Sequence, residues 1–457
     1  MPSSRALERH PTRRLFVATA VLAVTFLSLR LVPFSLIVKY AAVFIFSSLL
    51  YWVVCWQALR AATGGEASAR GLVPLLMLFL AVRVSFLAMD PLGSDDVYRY
   101  VWDGHVQTAG INPYQHAPND EALGNLHTTR LPSLVNHPEM KTIYFPLNEW
   151  IFYVGYHLSG ENVWGFQLLI LLAETLTIIG LFLMMRELSY SPWRVLIYAA
   201  NPLAILQFSL DAHVDAFGLP FLIFGLLFYH RKKVTFALLL LGFSLLVKPV
   251  AFVILPILFL HERGIINKAK VAVLPLSVLL IPFIPYTFNA NPFEALMTFS
   301  KHWFFNGALF SVLFRLFSDN QTTRLWCFAF LAIALFALYL SKKPLHEKIV
   351  LAVLLLLLCS PVVHPWYVAW MIVLLPLVPI SSGLAFAGTA SLASITYVTY
   401  QLQGIWRDYP LVLVLEYVPV VALLLFDLCR KGTPSAAEGN LAVAGITDDD
   451  SSKKAAG

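Results

Sequence analysis

The sequence predicts an all-α polytopic membrane protein of about 12–14 transmembrane helices, and three observations carry that prediction. The first is composition: 59% of the 457 residues are hydrophobic and 13% are charged, with a mean hydropathy of +0.73, whereas soluble domains carry about a quarter charged residues. Second, apolar runs at 15–29, 34–54, 72–89, 163–185 and 325–340 approach or exceed the roughly 17–25 residues that a bilayer span requires. Third, basic residues collect in short connections, the pattern of loops retained on the cytoplasmic side. The net charge of +6 therefore does not argue for a nucleic-acid partner.

Taken in order, the arginine-rich segment 1–14 belongs inside, followed by an uncleaved first span at 15–32, since no small-residue cleavage site follows the run. A second span at 35–59 returns to a basic connection at 60–70. The third, at 71–89, leads to the non-cytoplasmic side and to the loop 90–146, which is too long for a bare connection and is expected to carry amphipathic helices. The segment 145–160 reads either as an interfacial helix or as part of a span. Basic clusters at 186–194, 230–233, 261–270, 342–348 and 430–431 then lie inside if the chain turns outside at 210–213, 248–249, 287–323, 361–366 and 403–410. The membrane domain closes at 432, and the polar tail 433–457 is expected to be disordered and cytoplasmic. Segments 235–247 and 251–260 are short for spans. Such helices are tolerated where they line a protein-walled cavity, so a cavity open to the outer side is expected. The four cysteines lack CxxC spacing and read as packing residues.

The polar stretch 93–104 stands out after three apolar runs. Ser94 is a good N-cap, Asp95 and Asp96 suit a first helical turn, and Gly110 with Asn112-Pro113 supplies a stop, so a helix is expected over about 95–109. Spacing of four residues places Arg99 between Asp95 and Asp103, with Tyr98, Tyr100 and Trp102 interleaved. A carboxylate here can take a proton from a hydroxyl nucleophile, although acidic first turns also occur on inert solvated helices. Lys248 sits before Pro249 in an apolar stretch and either snorkels or binds an anion such as a lipid-linked phosphate. Arg99, Arg315, Lys301 and His302 are further cations. His213 between Asp211 and Asp215 reads as an interfacial hydrogen-bonding group, a substrate contact or, less readily, a metal ligand. His364 before Pro365-Trp366-Tyr367 is a substrate contact or part of an aromatic belt. Glu174 within its span reads as a helix-packing contact rather than a proton relay. No phosphate-cradling glycine loop and no nucleophile elbow is present.

The residues 94–104 together with Ala109-Gly110-Ile111-Asn112-Pro113-Tyr114 resemble the first external loop of bacterial GT-C mannosyltransferases, integral membrane enzymes that use polyprenyl-phosphate sugars. Likeness continues through His213-Val214-Asp215, Lys248-Pro249 and His364-Pro365-Trp366-Tyr367, from about 71 to 400. An extra hairpin over 15–59 and Tyr144-Phe145-Pro146-Leu147 depart from the family pattern. The resemblance implies a GT-C-like helical bundle in the bacterial inner membrane, with the active site facing the periplasm or exterior. It also implies that Asp95 or Asp96 is the catalytic base, Asp95 being preferred, and that a lipid phosphate binds near Lys248 and the later loop.

The expected reaction is transfer of a hexose, mannose by resemblance, from a polyprenyl-phosphate donor to a hydroxyl of a glycan, lipid or protein acceptor, with inversion. A retaining route would enlist Asp96 or Asp103 as nucleophile. No metal is expected to be obligatory, and a divalent cation stays an option beside the clustered acids. A transporter or flippase of a lipid-linked substrate is the rival reading, since broken helices and intramembrane charges also mark substrate pathways.

Overall fold

The computed structural model describes residues 4–31, 36–63 and 71–429. The expected tail from 433, the connection 64–70 and the basic pair Arg430-Lys431 lie outside them. Among the described residues there are no strands, only isolated bridges between Phe305–Asn306 and Val362.

Helices α1 (Ser4–Leu27) and α2 (Leu36–Thr63) form the expected leading hairpin, and α1 packs on α3 (Leu72–Ser85). The first helix begins at Ser4, so most of the N-terminal segment expected to precede the span is continuous with it. The third span is shorter than its apolar run, because the chain leaves the helix at Ser85 and turns towards the polar stretch. Two helices occupy the long loop and its end: α4 (Asp96–Thr108) and α5 (Pro146–Ser159), which pack on each other. Pro146 takes the first position of α5, where its missing N–H costs nothing. One face of α5 buries Glu149, Phe152 and Gly155 while Trp150, Tyr153 and Leu158 stay exposed, which settles 145–160 as an amphipathic helix. Gly104 allows this packing, since a side chain there would meet the Phe152 carbonyl.

The chain then runs through α6 (Trp164–Glu187), a traverse containing α7 (Leu196–Ala199) and a π-helical turn over Ala204–Leu210, and the pair α8 (Asp215–His230) and α9 (Val234–Val247). Next come α10 (Leu255–His261) and α11 (Ile265–Leu280), then a second pair of short helices, α12 (Glu294–His302) and α13 (Ala308–Phe317). The remainder is α14 (Asn320–Leu340), α15 (Leu345–Cys359), α16 (Pro365–Ile372), α17 (Ser381–Thr389), α18 (Ser394–Gln403) and α19 (Pro410–Cys429).

Among the described residues five helical stretches are long and apolar enough to cross a membrane by themselves: Leu36–Thr63, Trp164–Glu187, Ile265–Thr287, Asn320–Leu340 and Pro410–Cys429. The other traverses are short or interrupted, several at a proline that starts the next helical turn, as at Pro192, Pro249 and Pro365. Pro365 is buried and Pro249 lines a cavity, the two settings in which broken helices persist at membrane depth. The protein is an all-α polytopic membrane protein.

Polar pairs sort the two ends of the bundle. At one end Arg231 pairs with Glu187, Tyr229 donates to Glu262, His230 approaches His346 and Lys343 reaches the Asp427 carbonyl, so the basic connections meet. At the other end Asp211 accepts from the Leu92 and Gly93 amides, and Gln401 donates to the Leu92 carbonyl. Between them, Glu174 is not alone: Arg83 grips it with Nε and Nη2 at 3.0 Å, and Ser209 donates at 2.6 Å. Glu174 is a packing contact, and its partner from α3 gives no local sign in the sequence because the two lie 91 residues apart.

Candidate active site

A cavity of about 930 Å³ opens at the end away from the basic connections. Its walls come from the start of α4, the loop before α5, the start of α8, the α9–α10 junction, α12 with the loop after it, and the aromatic segments around 364–367 and 397–406.

Asp95 occupies the N-cap position of α4 and Asp96 its first turn. The cap thus falls one residue later than the expected Ser94, whose Oγ accepts from the Asp96 amide at 3.3 Å. Asn136 holds the two acids together: its Nδ2 donates to Asp95 Oδ1 at 2.9 Å and to Asp96 Oδ1 at 2.7 Å. Asp95 is the open member of the pair, whereas the Asp96 side chain is only 23% exposed. Burial raises both carboxyls above their ordinary range. Burial first and then the neighbouring Asp95 push Asp96 up to about 7, against hydrogen bonding from Asn136. Such a pair shares charge poorly and titrates as a unit.

The turn before α4 is held from behind. Asp211 accepts the Leu92 and Gly93 amides at 2.9 Å each and the Tyr40 hydroxyl at 2.6 Å. Ala212 takes a left-handed conformation, φ 61°, so that Asp211 and His213 are presented separately. His213 is fully buried, stands 3.6 Å from Asp96 Oδ2, and lies face to face with Trp366, which in turn stacks on His364. Asp215 and Lys248 form an ion pair at 2.8 Å, Trp370 Nε1 donates to the same carboxylate oxygen at 2.7 Å, and the Lys248 ammonium lies 3.1 Å from the Tyr367 ring centroid.

Tyr98, Arg99, Asp215, Lys248 and His364 therefore share the cavity wall with Asp95 and Asp96, and His213 touches it from behind. Other expectations are corrected. Arg99 does not bridge two acids: its Nε is bound to both Asp103 oxygens, at 2.9 and 3.0 Å, and its Nη1 to the Met140 carbonyl. Asp103 is buried in that pair, does not line the cavity and is not placed to act as nucleophile. Trp102 is core, against His105 and His127. Lys301, His302 and Arg315 are exposed and off the wall, because α12 and α13 turn those faces outward. Asp211, His213 and Asp215 point to different partners, and among the described residues no group of three or more His, Cys, Asp or Glu gathers as metal ligands would.

Residues 15–262, more than half of the chain, match the family of the alpha-(1->6)-mannopyranosyltransferase N-terminal domain. The chain belongs to that family. It is a GT-C-type mannosyltransferase family, and the extra hairpin over 15–59 falls within the match. No curated protein and no solved structure matches the chain.

In this membrane mannosyltransferase the cavity and its support include several residues that sequence reasoning missed. Asn136 lies 41 residues from Asp95 in a loop without regular spacing. Tyr40, on the hairpin outside the resemblance, supports the α4 turn from 171 residues away in sequence from Asp211. Arg324 lines the cavity from the start of α14. Asn136 and Tyr40 make long-range contacts with no local pattern to announce them, and Arg324 is tied to the Trp303 carbonyl 21 residues away.

Proposed function

We propose that this mannosyltransferase moves mannose from a polyprenyl-phosphate donor to an acceptor hydroxyl at the non-cytoplasmic face, with inversion at the anomeric carbon. The observation that carries this reading is the Asp95–Asp96 pair, bridged by Asn136 on the wall of a cavity that also holds Lys248, Arg324 and His364.

Asp95, open to the cavity, accepts the acceptor proton as the oxygen attacks the anomeric carbon and the bond to the phosphate oxygen breaks. Polyprenyl phosphate leaves, its charge met by protein cations. Asp96, half-buried against His213, keeps the pair's shared charge near the reacting hydroxyl. Inversion is supported by placement: both acids sit on one side, joined by one amide, whereas double displacement needs two carboxyl groups flanking the bond. Basic connections gathered at the opposite end of the bundle support a non-cytoplasmic cavity.

The test is incubation of purified protein with labelled polyprenyl-phosphate mannose and candidate acceptors. Release of polyprenyl phosphate coupled to a new glycoside is expected, with Asp95→Asn losing about 10²- to 10⁴-fold in rate while remaining folded. Wild-type turnover by Asp95→Asn together with an inactive Asp96→Asn overturns the assignment of the base. Movement of intact donor across the bilayer without a glycoside makes the protein a carrier.

A further inference from the structure

We infer that Arg324 anchors the phosphate of the lipid-linked donor; this rests on the polyprenyl-phosphate reading above and gives that head group a place in the cavity. Four lysine or arginine side chains line the wall, and three are already neutralised. Lys248 pairs with Asp215 at 2.8 Å, Lys141 with Glu294 at 2.9 Å and Arg99 with Asp103 at 2.9 Å. Among the described residues Arg324 has no carboxylate partner. Its Nε donates to Asn320 Oδ1 at 2.7 Å and its Nη2 to the Trp303 carbonyl. Two neutral acceptors thus fix the plane of the guanidinium and leave its charge uncompensated. An ordered, partly buried guanidinium of this kind is suited to phosphate oxygens, which its fork of donors matches.

Location names the source of the phosphate. Arg324 stands in the first helical turns of α14, whose outer face exposes Leu325, Phe328 and Ile333 at 66%, 69% and 68%. Such a face belongs against lipid acyl chains. The cavity wall nearby includes Phe299 and Trp303, and Trp303 supplies the carbonyl that holds the guanidinium. An anion carried on an apolar chain can keep that chain in lipid while its head meets Arg324. The sugar then projects into the cavity shared with Asp95. Lys248, tied to Asp215, is left to order the aromatic wall through Tyr367.

The experiment measures binding of labelled polyprenyl phosphate to the full chain in nanodiscs of zwitterionic lipid, with polyprenol, inorganic phosphate and phosphatidylglycerol as competitors. Arg324→Gln is expected to weaken polyprenyl phosphate binding and raise donor KM by about 10- to 100-fold, the worth of hydrogen bonds to a charged group. Polyprenol binding and acceptor KM stay unchanged, and Arg324→Lys recovers part of the loss. Unchanged affinity in Arg324→Gln, or an equal loss for polyprenol, overturns the anchor. Phosphatidylglycerol competing as well as polyprenyl phosphate makes this a phospholipid site, and inorganic phosphate competing equally removes the lipid-borne source. Failure of the wild type to bind polyprenyl phosphate sinks the donor reading and the anchor together. Binding retained by both wild type and Arg324→Gln sinks the anchor alone.

Discussion

Replacing Asn136 by Ala removes the one amide that donates to both Asp95 and Asp96, at 2.9 and 2.7 Å. Those bonds favour the ionised carboxylates, so their loss raises the titration of the pair, and a base that must be ionised is then lost on the acid side. A hydrogen bond to a charged group is worth about 1.5 kcal/mol at the low end, which corresponds to about one pH unit. Asp96 already stands at about 7 and the pair titrates as a unit, so at neutral pH the fraction with both acids ionised, and Asp95 free to accept a proton, falls from about a half to about a tenth. The prediction is a drop of about 5-fold in kcat/KM at pH 7, with the acid limb moved up by about one unit and activity recovering above about pH 9. The assay is mannosyl transfer by purified protein between pH 5 and about 10, against wild type under saturating acceptor. An acid limb that stays in place, with activity lowered evenly at every pH, would show that Asn136 only positions the acids. A limb that moves down would refute the electrostatic argument itself.

Lys248→Met leaves Asp215 buried with only Trp370 to satisfy it, and breaking a buried pair costs about 3–5 kcal/mol; a lowered melting temperature in detergent is expected, largely restored by the double replacement with Asp215→Leu. No change in melting would mean that the pair is solvated and structurally idle. In Gly93→Ala a Cβ would stand 2.5 Å from the Tyr40 hydroxyl and 2.6 Å from Asp211 Oδ2, so the turn that presents Asp95 must open. Transfer activity should fall sharply while membrane insertion and the amount of folded protein hold, and wild-type turnover would show that Tyr40 and Asp211 can yield without moving α4.

The sequence by itself determined what depends on local or compositional physics. Apolar length and charge placement specified an all-α membrane protein, and the cap and stop residues placed the helix expected over 95–109 within a residue of Asp96–Thr108. The polar turns carrying His213–Asp215, Lys248 and His364 were readable because charges are rare in such a chain, and the structure brings all of them to one end. Tertiary structure alone decided how the charges pair. Spacing of four residues offered Arg99 two acids, and in the folded chain it binds Asp103 and the Met140 carbonyl of the long loop. Lys248 looked like a free cation until α8 supplied Asp215, and Arg324, unremarked in sequence, is left uncompensated because both groups it donates to are neutral. Ion pairing depends on which helices meet across tens or hundreds of residues. That choice comes from burial over the whole bundle, which no window of sequence contains.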